Sequence, residues 1–177
     1  MYDDLLQNVT ELIYEQQCKL GYAHGVLRLY YPLSSLNRLL KTDLDAEGMQ
    51  AALSPLSGSV DALGPIAVTH AGERFCLSLG PRAADWVHEN APKDGFLPAL
   101  IEVVRRHGAA MDDVLSVFFR FSDRVTVEQK PDAEFDVLAY FSDGVPDGFR
   151  YCFTCEGEHI TYHRLTADDY NDLYPER

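Results

Sequence analysis

Apolar residues recur at helical spacing from the start of the chain. Leu5, Leu6, Val9, Leu12, Ile13 and Leu20 fall on one stripe and predict an amphipathic helix over about residues 4–20. Asp4, with Gln7 three residues on, has the form of a capping box, and Gly21 supplies a stop. The run Val26-Leu27-Arg28-Leu29-Tyr30-Tyr31, ended by Pro32, fits either a strand or a buried helical turn. Ser34 or Ser35 opens a short helix through Leu40, and Asp43 or Asp45 opens another to about Leu53. Residues 54–65 are rich in Ser, Gly and Pro and read as a loop, the best candidate for a mobile segment.

A hairpin follows, with 66–69 and 74–79 flanking the short turn Ala71-Gly72-Glu73. Pro81 suits the first position of a helix that carries Trp86 and Val87 inward. A further helix lies near Pro98, with Leu97, Leu100, Ile101 and Val104 on one face and Gly108 at its end. Asp112 caps the next, which places Leu115, Phe118 and Phe119 inside; its Val and Phe content leaves a strand reading open. The last third is β-rich. Phe135, Val137, Ala139 and Phe141 alternate with Asp136, Leu138 and Tyr140, and strands over 149–155 and 159–165 follow. Thr166 caps a terminal helix, with Asp169 at the capping-box position and Tyr170 and Leu173 packing it back. The expected architecture is α+β: one globular domain over residues 1–177, helix-rich at first and β-rich from about 124 to 165. Its antiparallel β-meander is covered on one face by several helices.

Charge narrows the partners. The chain carries 15 Lys+Arg against 28 Asp+Glu, a formal −13, and residues 132–177 hold 11 acids and 3 bases, or −8. Such a field repels nucleic-acid phosphates and anionic lipid surfaces, so neither is expected as a partner, whereas a basic protein is admitted. No stretch approaches the 18 apolar residues of a membrane-spanning helix, and the opening Met1-Tyr2-Asp3-Asp4 lacks the basic start of a signal peptide. Four scattered cysteines do not make a disulfide scaffold; the expected setting is the cytoplasm.

One ligand cluster stands out: Cys152, Cys155, His159 and His163. The turn Glu156-Gly157-Glu158-His159 reads as a two-residue hairpin loop with Gly first, as a type II′ turn requires. That register pairs Cys155 with Ile160, Phe153 with Tyr162 and Cys152 with His163. Cys152 and Cys155 then project to opposite faces, because strand side chains alternate. What survives as a weak metal candidate is Cys152, His159 and His163. A second place to look is the polar patch Arg150, Tyr162, His163 and Arg164, able to hydrogen-bond, stack and hold anions. No P-loop, dinucleotide fingerprint, nucleophile elbow or His-Glu-x-x-His motif is present, and no cofactor is implied.

The strings Tyr151-Cys152-Phe153 and Tyr162-His163-Arg164-Leu165-Thr166, followed by Asp169-Tyr170, resemble a family of uncharacterised Firmicutes proteins of similar length, classed as a domain of unknown function. The resemblance implies a bacterial cytoplasmic setting and no activity, cofactor or site. The leading expectation is a non-enzymatic binding or accessory domain that engages a basic protein partner. The alternatives are a metal-binding protein or small enzyme using the 152–163 hairpin, and a small-molecule sensor with its pocket between helices and sheet. An exposed meander edge is compatible with a homodimer.

Overall fold

A computed structural model describes residues 2–58, 62–130 and 133–175. The fold is mixed α+β, with seven α-helices and two antiparallel sheets among the described residues. The chain divides into two compact units, Met1–Pro92 and Lys93–Arg177.

In the first unit, helix α1 (Asp3–Leu20) buries Leu5, Val9 and Ile13. Its apolar stripe is narrower than the spacing predicts, since Leu12 is 38% and Leu20 80% exposed. Asp4 is not its cap. Tyr2 holds that position without a side-chain capping bond, while Asp4 lies in the first turn and pairs with Lys41 at 2.9 Å. The ambiguous run is a strand, β1 (Leu27–Pro32), with Tyr31 buried and Arg28, Tyr30 and Pro32 exposed. Pro32, rather than a serine, precedes α2 (Leu33–Leu40). Asp45 caps α3 (Ala46–Leu53) by accepting the Gly48 N–H at 2.8 Å, and a single 3₁₀ turn (Ser54–Ser57) follows. Of the loop expected over 54–65, residues 59–61 lie outside the described residues.

Strands β2 (Ile66–Ala71) and β3 (Arg74–Leu79) form the expected hairpin, and β1 adds to the other side of β3. Helix α4 (Pro81–Asn90) begins with Pro81 in its first turn. Phe75, Leu77 and Leu79 point from β3 into a core shared with Leu36, Met49, Leu53 and Val87, with Trp86 packed at its margin.

In the second unit, α5 (Phe96–Val104) ends one residue before Arg105, so Arg105, Arg106 and His107 lie just beyond it. Helix α6 (Met111–Phe121) starts earlier than its acids suggest. Ala110 is the capping residue and Asp113 accepts its N–H at 2.9 Å. Val114, Val117 and Phe118 form its inward face, and Phe119 is 56% exposed rather than inside. Strands β4 (Val125–Gln129), β5 (Val137–Phe141), β6 (Arg150–Glu156) and β7 (His159–Leu165) form a meander in chain order.

One face of this sheet carries an aromatic core. Phe96 of α5 meets Phe118, Phe141 and Tyr151 edge-on at 4.7, 4.8 and 5.5 Å. The other face, expected to be polar, is partly covered by α7 (Ala167–Leu173), which Thr166 caps through the Asp169 N–H at 3.0 Å. Tyr170 and Tyr174 pack there against Phe135, Leu138 and Cys152. Leu138, placed by alternation on a solvent face, is therefore buried.

Candidate functional site

The hairpin fixes what the β6–β7 ligands can do. Its register pairs Cys152 with His163, Phe153 with Tyr162 and Cys155 with Ile160, the pairing the sequence predicts. Gly157 at φ 61° supplies the left-handed residue that a type II′ turn requires. Cys152 and His163 thus face each other across the strands, but Cys152 is only 1% exposed, under α7. His159 lies four residues along the same strand, about 13 Å from His163 at strand rise, so the two imidazoles do not converge on one ion. Among the described residues no group of three Cys, His, Asp or Glu is placed to hold a metal. His159 instead lies beside His107, ring centres 5.2 Å apart, and His107 pairs with Glu158 at 2.6 Å. Cys155 is exposed on the opposite side, its N–H donated to Asp136 at 2.7 Å. Burial pushes the Cys152 thiol up to about 11, which makes it a poor nucleophile.

The four patch residues separate by strand alternation. Tyr162 and Arg164 belong to the aromatic side of the sheet, and Arg150 and His163 to the α7 side. Arg164 is 4% exposed at its side chain and does internal work. It stacks on Phe149 at 3.6 Å, donates from Nε to the Tyr151 hydroxyl at 3.0 Å, and lies 3.4 Å from Asp147. Tyr151 in turn donates to Asp147 at 2.6 Å. Burial, and then the Asp147 charge, hold the Tyr151 phenol well above its ordinary pKa, so it stays a neutral donor.

Arg150 takes part in a different structure. Its guanidinium lies over the Tyr140 ring at 3.7 Å, at the wall of a cleft of about 760 Å³. The sheet side of this cleft is Glu128, Leu138, Tyr140 and Arg150; the opposite wall is Tyr170, Asn171 and Tyr174 from the end of the chain. Phe135 closes the inner end, 5.1 Å from the Tyr174 ring and 6.3 Å from Tyr170. Lys130 enters with its ammonium 2.6 Å from Glu128. Burial raises the Tyr170 phenol against the opposing pull of Lys130, and burial followed by Glu134 raises Tyr174. Both phenols are neutral donors at physiological pH. The cleft is open and lined by more polar than apolar surface; its size lies within the 300–1,000 Å³ of small-ligand sites, with rings that can take a flat body and polar groups that can orient it.

Sequence reasoning selected Arg150 but missed Tyr140, Tyr170 and Tyr174 as its companions. The signal was present: Tyr170 on a helix whose cap is legible and Tyr174 just past its end stand four apart, the Tyr174 N–H donated to the Tyr170 carbonyl at 2.8 Å.

A family model described as "Domain of unknown function, E. rectale Gene description (DUF3877)" matches residues 2–174. The chain belongs to this family, whose description carries no activity. No curated protein and no solved structure matches it. Among the described residues, no helix is long and apolar enough to cross a membrane.

Proposed function

We propose that the chain is a non-enzymatic binding domain of the cytoplasm that takes a small ligand in the cleft between the β4–β6 sheet face and α7. The observation that supports this reading is the cleft itself. It combines about 760 Å³ of space, four aromatic side chains and convergent polar groups on one unit of the molecule. Native mass spectrometry of the freshly purified full chain tests it. The expected result is a retained mass that disappears in Asn171→Trp, a substitution at an exposed lining position that blocks the cleft without touching the core. A retained mass indifferent to that block would place the ligand elsewhere.

A second reading is favoured by charge. The −8 of residues 132–177 suits a basic protein partner, and association would then weaken with salt as the screening length shortens around the surface charges. Recovery of a complex at low salt that dissolves at high salt supports it; a complex indifferent to salt removes the electrostatic basis.

A further inference from the structure

Three features compete as unassigned chemistry. Asp85 accepts from Tyr22 at 2.8 Å and lies 2.9 Å from His24, but Tyr22 and His24 are exposed and the three groups satisfy one another. The outer face of the three-stranded sheet, with Arg28, Tyr30 and Arg74, is open, and nothing shows what would cover it. The cleft of the second unit carries further, because its charges do not cancel.

Three charged side chains line that cleft: Glu128, Lys130 and Arg150. Glu128 and Lys130 neutralise each other at 2.6 Å. Arg150 has no carboxylate partner among the described residues; its contact is the Tyr140 ring. This is unexpected in a segment with 11 acids and 3 bases, where carboxylates are abundant. The other structurally described base of the segment, Arg164, is buried against Asp147. A guanidinium over a ring keeps its N–H donors in plane for a planar acceptor, and its weak hydration makes it the cation of choice for carboxylate, sulfonate or phosphate. The neighbouring rings and Leu138 supply an apolar wall that an inorganic anion would not use.

From this we infer that the ligand of the cleft is a small organic anion, an acidic group on a flat or apolar body, with Arg150 holding the acid and Phe135, Tyr170 and Tyr174 holding the body. This inference rests on the binding reading above and names its ligand class.

The probes are the fluorescent anilinonaphthalene sulfonate and its uncharged relative, phenylnaphthylamine, titrated into the full chain with far-ultraviolet dichroism confirming the fold of each variant. The sulfonate is expected to saturate at one site per chain and to bind more tightly than the neutral probe. Arg150→Gln weakens it about tenfold, the scale of one charge-assisted hydrogen bond. Arg150→Lys retains most of the binding through its charge, and Arg120→Gln, which removes an exposed arginine of α6, leaves it unchanged. Asn171→Trp excludes both probes. If Arg150→Gln has no effect, or the neutral probe binds as tightly as the sulfonate, the anion inference is overturned while cleft binding stands. If neither probe binds, or neither is excluded by Asn171→Trp, the cleft reading falls with it.

Discussion

Arg164 shows how far a residue's role depends on its burial. A sequence presents it beside His163 as one of two adjacent surface-type side chains, yet alternation sends it inward to join Tyr151 and Asp147. Removing one member of such a set leaves the others buried and unmatched. Tyr151→Phe should cost about 1–3 kcal/mol, and Arg164→Met about 3 kcal/mol, in urea-unfolding free energy with the slope unchanged. A loss below a few tenths for either would mean that water replaces the missing group. Cys152 gives a pH dependence of definite sign. Its folded pKa is raised from 9.0 to about 11 by burial, so the stabilisation from the neutral thiol is complete below 9 and lost as pH rises towards 11. Stability should fall there with an added slope of up to about 1.4 kcal/mol per pH unit, and Cys152→Ala should remove that increment. An identical slope in the variant would assign the loss to other groups, Tyr151 first. None of this was visible from sequence at Cys152, because the residue that buries it, Tyr170, is eighteen positions away on a helix whose docking no local pattern encodes.

Elements were legible where a local rule has one solution. The β6–β7 register follows from period-two alternation and a glycine that must be left-handed, and every predicted pair is present. Nothing lies within 4 Å of a Cβ built on Gly157, so Gly157→Ala tests backbone conformation alone. It should destabilise by about 1 kcal/mol, whereas Gly148→Ala, also in open space but at an ordinary φ, should be near neutral in the same thermal or urea measurement. Equal effects at the two sites would refute the turn assignment. Where two solutions compete, the sequence leaves the choice open. The run at 26–31 is too short for periodicity to separate strand from helix, and it is the free side of β3 that resolves it. The buried face of α6 is Val114, Val117 and Phe118, spaced three and four apart, and Phe119, about 100° beyond Phe118, falls outside it.

On the scale of the whole molecule, the contacts gather into two units, each with its own sheet and its own buried side chains. Residues 1–92 expressed alone should therefore unfold in a single cooperative transition, since a chain of that length buries about 60% or more of its surface. A broad, non-cooperative melt would show that this unit needs the remainder of the chain. The single tryptophan gives this division an optical use. Trp86 packs at the margin of the first unit's core, and the second unit contains no indole. Its emission reports the first unit alone. Near-ultraviolet dichroism draws on both units, with the crowded rings of Phe96, Phe118, Phe141 and Tyr151 adding the second unit's share. One unlabelled sample thus carries two spectroscopic clocks, and whether they run together during unfolding can be read directly from their midpoints.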